Sequence, residues 1–251
     1  DKQPIREFPL RKGLEMDACV EIFELPKRDK DGNIPYGRYL AGWDPVETDG
    51  NKDTNQSLQS LIILDSWTDR IVAEYTARTY ISEEYYEQAR RLLMFYNAIC
   101  NYESNIKGPY GYFKNKNSLH LLCDTPEILK DESLIKTSNI GNKSKGTRTN
   151  ASIIDWGLRL VLTYLETQAY DKPEGYRNMD TIKSPAILKE LISYSPEINT
   201  DRVSALIMLM ILREDRARIT DISRRERIKT KANDRFWKKH FNKALKIPNY
   251  R

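Results

Sequence analysis

Three acidic residues of this sequence stand at the ends of apolar segments, where a carboxylate is held in place and still accessible. Asp44 ends "RYLAGWD", Glu103 follows "AICNY", and Asp201 opens "DRVSALIMLMIL". Carboxylates gathered at one place repel each other unless a divalent cation neutralises them, and Mg²⁺ takes oxygen ligands of this kind. Two such ions about 3.5–4 Å apart activate a water molecule and stabilise the leaving 3′ oxygen of a phosphodiester.

Each of these three residues also has a purely structural explanation. Asp44 precedes Pro45, and Asp-Pro commonly opens a turn. Glu103 could be a solvated strand end, and Asp201 could serve only as a helix N-cap, a role that Asp fills well. The residues taken singly leave these alternatives open, so the order of the surrounding elements carries more information than any one of them.

The composition disfavours other catalytic chemistries. The chain has 251 residues, only two His and three Cys, so a zinc site or a His-based triad would have few residues to use. We expect the cysteines (Cys19, Cys100 and Cys123) to be buried free thiols of a reducing compartment. No apolar stretch reaches the roughly 18 residues that span a bilayer, and the first residues show no export signal.

The net charge of +5 is concentrated towards the C-terminus. Residues 213–246 contain thirteen Lys and Arg against five Asp and Glu. A basic segment of this kind suits a polyanion such as nucleic acid. The alternative is a solvated helix of mixed charge.

The hydrophobic periodicity predicts a mixed α/β chain. Strands are expected at 19–25, 38–44, 57–65, 70–78, 98–104 and 118–123, and helices at 82–97, 151–167, 184–195 and 199–215. The strands over 38–78 should form an antiparallel meander, and Ser82 should cap the first helix. A meander with Asp on its first strand, then a helix, a strand ending in Glu and a helix opening with Asp is the RNase H-like layout. The predicted fold is therefore an RNase H-like mixed central β-sheet flanked by helices.

The sequence resembles the nuclease domain of the large terminase subunit of tailed bacteriophages over about residues 19–215. The similar stretches are "VEIFELPKRDKDGNIPYGRYLAGWDP" (20–45), within it the motif "YLAGWDP" (39–45), then "NQSLQSLIILDSWTDRIVAEYTAR" (55–78), "ICNYESN" (99–105) and "ILKELISYSPEINTDRVSALIMLM" (187–210). The motifs are short, but all five occur in the order that the family has.

The resemblance implies that Asp44, Glu103 and Asp201 are catalytic ligands of two Mg²⁺ or Mn²⁺ ions, with Asp44 bridging both. It implies an endonuclease that cuts double-stranded concatemeric viral DNA with little sequence specificity. Asp53 lies where some relatives have an accessory acidic residue. The expected partners are double-stranded DNA, an N-terminal packaging ATPase domain, the portal protein and the small terminase subunit. The expected location is the host bacterial cytoplasm, at the procapsid portal.

The chain lacks the nucleotide-binding motif of the packaging ATPase. The nearest stretch, "GNKSKGTR" (141–148), has Thr147 where the phosphate-binding Lys is required. We therefore expect a single nuclease domain over 1–251. It should comprise a lead-in at 1–18, an RNase H-like core at 19–215 and a basic segment at 216–251.

Two basic groups are candidate DNA contacts. The loop residues Lys143, Lys145 and Arg148 could bind phosphates near the site, and Arg224, Arg225 and Lys229 could hold the duplex through its backbone. The basic C-terminal segment could instead dock on the portal. Two further functions remain open: a junction resolvase or integrase-type nuclease with the same fold, or a non-catalytic adaptor for DNA or the portal.

Overall fold

A computed structural model of the chain describes residues 20–46, 57–134, 144–195, 198 and 200–220, and the backbone alone of residues 5–7. The strands are β1 (Ile5–Glu7), β2 (Val20–Ile22), β3 (Tyr39–Asp44), β4 (Gln59–Asp65), β5 (Arg70–Ala77) and β6 (Ile99–Tyr102). The helices are α1 (Ser82–Tyr96), α2 (Gly108–Asn115), α3 (Ile128–Asp131), α4 (Ala151–Glu166), α5 (Pro185–Ser193) and α6, which is helical over 201–220. Short 3₁₀ helices occupy Leu119–Leu121 and Asn178–Thr181.

The described strands form one mixed sheet of six strands in the order β1-β2-β5-β4-β3-β6. β3, β4 and β5 are consecutive antiparallel neighbours, which confirms the predicted meander. The chain then crosses through α1, and β6 lies parallel to β3. Leu122 adds a single parallel bridge to Cys100 of β6. In the RNase H-like arrangement, the first strand of an antiparallel meander is central and a later strand pairs with it in parallel. Strand β3 is that central strand here and β6 is its parallel neighbour, so the predicted fold class is confirmed.

Helices cover both faces of the sheet, as a central strand that is apolar on both sides requires. One face packs Trp43 of β3 among the aromatic side chains of α1 and α2. The other face packs Leu40 of β3 against a core that includes residues of α4, α5 and α6. Because side chains alternate along a strand, Gly42 and Asp44 point to the same side as Leu40. Cys100 and Cys123 are buried and neither forms a disulfide, as expected, and Cys19 lies outside the described residues.

Two local predictions were wrong. Ser82 does not cap α1, because it is already the first helical residue and the capping position is Ile81, which makes no side-chain cap bond. The segment 118–123 is not a strand apart from the bridge at Leu122. The N–H groups of Ser118, Leu121 and Leu122 bond locally, to the carbonyls of Phe113, Ser118 and Leu119, and are not available to a ladder. The Cys123 N–H donates to the Cys100 carbonyl of β6.

Helix α6 lies directly on β3 at Gly42. A Cβ atom built on Gly42 would stand 2.1 Å from the Ala205 carbonyl oxygen and 2.6 Å from the Leu209 Cβ. Real atoms do not approach this closely, so only a residue without a side chain lets the helix backbone contact the strand. The distance between β3 and α6 is therefore set by this glycine.

The chain divides into a compact unit of Asp1–Arg213 and a second unit of Glu214–Arg251. Of the second unit, the structure describes residues 214–220, which are helical. The boundaries predicted at 18 and 215 stay predictions. Among the described helices, none has both the length and the apolar character needed to cross a membrane.

Substituting Gly42 with Ala should destabilise the fold by about 3 kcal/mol, the upper part of the range for overpacking, because the methyl group meets helix backbone that cannot rotate away. Urea unfolding monitored by circular dichroism measures the change. Gly111→Ala is the matched control, because its added methyl group meets no atom within 4 Å. Equal stability of the two variants would show that β3 and α6 are not in contact as described.

Candidate active site

Asp44 and Glu103 emerge side by side from two parallel strands. Asp44 is the last residue of β3, and Glu103 directly follows β6. The register pairs Trp43 with Tyr102, and the Glu103 N–H extends this ladder by donating to the Trp43 carbonyl at 3.1 Å. The two carboxyl groups are close enough for Glu103 to raise the pKa of Asp44. They therefore lie at the carboxyl edge of the sheet, where open α/β sheets commonly place their sites.

Helix α6 brings Asp201 to the same place. Asp201 is the first helical residue, and Ala205 and Leu209 follow it on one helix face at intervals of four residues. The latter two contact Gly42, so the turn that precedes them lies over the end of β3, beside Asp44. The Asp201 carboxylate is nearly buried, accepts a hydrogen bond from the Leu58 N–H at 2.9 Å, and acts electrostatically on Asp44.

Buried ion pairs fix the start of α6. The Arg202 guanidinium bonds to the Glu74 carboxylate of β5 and, at 2.7 Å, to the Glu190 carboxylate of α5. The Arg202 N–H also donates to Glu190, at 2.9 Å. Ser184 donates a further hydrogen bond to Glu74. Removing one partner of a buried pair leaves the other charge uncompensated, so this network holds Asp201 in position.

The pKa of the Asp44 carboxyl is raised well above its ordinary value. Burial is the largest cause, and the negative charges of Glu103 and Asp201 act in the same direction. The hydrogen bond shared with Glu103 also raises the pKa, while a hydrogen bond from Ser204 lowers it. A proton on Asp44 thus relieves the repulsion among the three carboxyl groups, as a bound cation would.

Glu103 is anchored from its outer side by two residues that the sequence analysis missed. Its Oε1 atom accepts hydrogen bonds from the Thr149 hydroxyl and, at 3.0 Å, from the Asn105 amide. The Asn105 amide also bonds to the Thr149 hydroxyl at 2.7 Å. Neither residue had a sequence signal, because both lie in polar loops. A signal did exist at Asn101, a polar residue in an apolar strand on the same face as Glu103.

Asn101 joins β6 to α6. Its side-chain amide donates to the Met208 carbonyl at 2.9 Å, and its carbonyl oxygen accepts from the Thr147 hydroxyl at 3.0 Å. Gly42 is its neighbour in the register of β3. The contact at Gly42 and the hydrogen bond at Asn101 together hold α6 against β3 and β6. Both contacts lie two residues before the strand positions that carry Asp44 and Glu103.

The three carboxylates fit a hard divalent cation by their chemistry. They are an all-oxygen donor set, which suits Mg²⁺ or Mn²⁺. Within the described parts of the chain, however, no three His, Cys, Asp or Glu side chains are arranged as a preformed metal site. The carboxylates face protein donors at Leu58, Thr149 and Ser204. A bound cation would neutralise the repulsion that disfavours the charged form of Asp44.

The predicted DNA contacts have separate outcomes. Lys145 pairs with Asp124 at 2.9 Å and donates to the Leu122 carbonyl at 2.8 Å, and its contact with DNA stays a prediction. Arg148 is exposed and stands between Thr147, which bridges to Glu103, and Thr149. Lys143, Arg224, Arg225 and Lys229, with the accessory candidate Asp53, lie outside the described residues.

No protein-family model matches the sequence, and no characterised protein matches it by sequence comparison. Among solved structures, the chain is similar to the large terminase nuclease from thermophilic phage G20c, in crystal structures with bound zinc, with bound magnesium, and in a third crystal structure. Each comparison gives a TM-score of 0.42 and 13% identity over 80% of this chain, and covers 88% or 89% of the other. Similarity of this extent does not decide a function, which must rest on the residues of this chain.

Thr149→Val should weaken Mn²⁺ binding about tenfold, because Glu103 loses the hydroxyl that orients it. Isothermal titration calorimetry measures the affinity. Thr149→Ser keeps the hydroxyl and should bind as the wild type does, and Thr163→Val, on the exposed face of α4, is the matched control. An unchanged affinity in Thr149→Val would mean that this hydrogen bond does not position a ligand.

Asp44→Asn should stabilise the metal-free protein at pH 8. The pKa of the Asp44 carboxyl is higher in the folded protein than in the unfolded chain, where it is about 3.9. The group therefore stabilises the fold at pH values below the unfolded-state pKa, and this contribution is lost as the pH rises through the folded-state pKa. The variant avoids that loss, so we expect a gain of about 1–3 kcal/mol at pH 8 that vanishes near pH 4. Urea unfolding in EDTA across this pH range measures it, with Glu166→Gln on the surface as control.

Proposed function

We propose that the chain is a divalent-metal-dependent endonuclease domain of the phage large-terminase type, which hydrolyses phosphodiester bonds of duplex DNA. The observation that carries this proposal is the meeting of Asp44, Glu103 and Asp201 at one edge of an RNase H-like sheet. A cluster of like charges destabilises a fold, so its retention is best explained by a function that uses it.

Asp44, Glu103 and Asp201 are the residues that would hold the ions. When bound, two divalent cations supply water activation and neutralise the charge that develops on the phosphate oxygens. Hydrolysis joins the water oxygen to phosphorus and breaks the bond from phosphorus to the 3′ oxygen, which leaves a 3′-hydroxyl and a 5′-phosphate. The half-buried Asp44 carboxyl group lies beside the two others, and a bound cation would favour its charged form.

The surrounding residues orient these carboxylates. Thr149 and Asn105 hold one oxygen of Glu103, which leaves its other oxygen for the site. The Leu58 N–H holds Asp201 from the side of β4. Ser204 donates to Asp44. Such outer hydrogen bonds fix the direction of a ligand and favour its charged form.

Arg148 is the described residue best placed to bind a DNA phosphate. It is exposed beside Thr149, and the Thr149 hydroxyl contacts Glu103. An arginine there binds the backbone without reading the sequence, in keeping with cleavage of low specificity. Lys143 and the basic residues Arg224, Arg225 and Lys229 are proposed to extend this contact along the duplex, with portal docking as the alternative use of the latter three.

The resemblance of the sequence motifs supports a place in viral DNA packaging. On this proposal, the domain acts in the host cytoplasm at the procapsid portal, with a packaging ATPase domain, the portal protein and the small terminase subunit as partners. Its substrate is the double-stranded concatemeric genome, and its cofactors are two Mg²⁺ or Mn²⁺ ions.

The decisive test is plasmid nicking with Mn²⁺ or Mg²⁺. Asp44→Asn, Glu103→Gln and Asp201→Asn should each reduce the rate at least about 100-fold, because each removes charge that binds a cation worth several kcal/mol of transition-state stabilisation. Glu166→Gln, a surface carboxylate of α4, should cut as the wild type does.

Two other outcomes separate the competing functions. Faster cleavage of four-way junctions than of linear duplex would replace the terminase assignment with a junction resolvase. No cutting, together with no Mn²⁺ binding that depends on Asp44, would leave a non-catalytic adaptor whose acidic cluster is structural.

A further inference from the structure

A cleft of about 410 Å³ opens directly beside Glu103. It lies between the first half of α4, the end of α5 with the residues that follow it, and the start of α6. Its volume falls in the range of roughly 300–1,000 Å³ that is typical of sites for small organic molecules. A group bound in the cleft would therefore stand next to the proposed catalytic carboxylates.

Apolar and aromatic side chains form about half of the described lining of the cleft. They include Ile154 and Leu158 of α4, Ile207 and Met208 of α6, and Tyr194 after α5, and the polar lining side chains include Asp155 and Ser204. Apolar and aromatic walls favour a flat, weakly polar group over a hydrated one. This surface is distinct in character from the carboxylate cluster beside it.

The charge of the cleft excludes a phosphate group. Among its described lining residues, the charged side chains are the carboxylates Glu103 and Asp155, and no Lys or Arg is present. A phosphate would be repelled there. A nucleobase is neutral and flat, and its exocyclic amino groups can donate hydrogen bonds to a carboxylate.

We propose that this cleft holds one unstacked nucleoside of the strand that is cut, so that the domain cuts preferentially where the duplex is frayed or unpaired. The inference rests on the proposed nuclease function. A nucleoside adjacent to the scissile phosphate is joined to it covalently, and the cleft is adjacent to Glu103.

The size of the cleft explains the expected preference. It accepts one nucleoside but not a base pair within a stacked duplex. A nucleotide must therefore leave the stack to enter, and this step requires the least energy where the base is mismatched or already unpaired. Stacking against Tyr194 and the aliphatic wall favours the bound state and is tolerant of base identity, in agreement with low sequence specificity.

Binding can be tested without cleavage. A duplex with 5-iododeoxyuridine in a short unpaired end is irradiated with the protein in EDTA, and the adduct is mapped by mass spectrometry. We expect an adduct at Tyr194 or its neighbours in the cleft with the frayed duplex, and none with the same base fully paired. Equal adducts from both duplexes, or adducts only outside the cleft, would overturn the inference.

Cleavage supplies the second test. Ile154 is 37% exposed, so Ile154→Trp should fold and partly fill the cleft. It should lower the ratio of frayed to paired duplex cut in Mn²⁺ about tenfold, as expected for the loss of one stacked base. Leu162→Trp, two turns further along α4 at a position 59% exposed and outside the cleft, should leave that ratio unchanged.

The two proposals fail in different ways. If the wild type cuts DNA with no preference for frayed ends, or if Ile154→Trp keeps the wild-type ratio, the nucleoside site is wrong and the nuclease assignment stands. If no DNA is cut but the adduct forms at Tyr194 only with the unpaired base, the nuclease assignment is wrong and the nucleoside site stands.

Discussion

The contact of α6 with Gly42 is the constraint on which the candidate site depends. The central strand and the helix touch through backbone atoms, because the strand has no side chain at this point. Asp44 lies two residues beyond Gly42 on β3, and Asp201 lies about one helical turn before Ala205 on α6. The parallel register places Asn101 beside Gly42, and its hydrogen bond to Met208 fixes the helix to β6 as well. The carboxyl groups meet because these three elements cannot slide past one another.

The repulsion among the three carboxyl groups destabilises the fold, and ion pairs in the surrounding residues offset this destabilisation. Burial and two neighbouring carboxylates raise the pKa of Asp44, which shows that its charged form is disfavoured in the fold. The buried pairing of Arg202 with Glu74 and Glu190 supplies compensating attraction a single residue from Asp201. A second buried ion pair, of Arg38 with Asp65 at 2.7 Å, ties the start of β3 to the end of β4. The site is thus a local region of repulsion in a framework that resists rearrangement.

The central part of the fold could be predicted from the sequence because its signals are local. The apolar runs of β3, β4 and β6 and the helical period of α1 each carry their own pattern, and the three acidic residues stand at element ends that the pattern marks. The anchoring of Glu103 could not be predicted, because Thr149 is far away in sequence and its loop has no periodicity. The ion pair of Lys145 with Asp124 is a second tertiary contact that no local pattern indicates.

The charged and apolar groups near Glu103 indicate where the phosphate and the base of a bound nucleotide would lie. A nucleotide has an anionic phosphate and a neutral base, and the two need different surroundings. Arg148 is exposed on the segment that carries Thr149, and the cleft beside Glu103 has a partly apolar wall with no Lys or Arg among its described lining residues. On the proposed function, a strand bound at Glu103 would have a cationic side chain for its backbone and an apolar surface for a base. The phosphate that links such a nucleotide to its neighbour would then lie near the carboxylates, where bound cations would act.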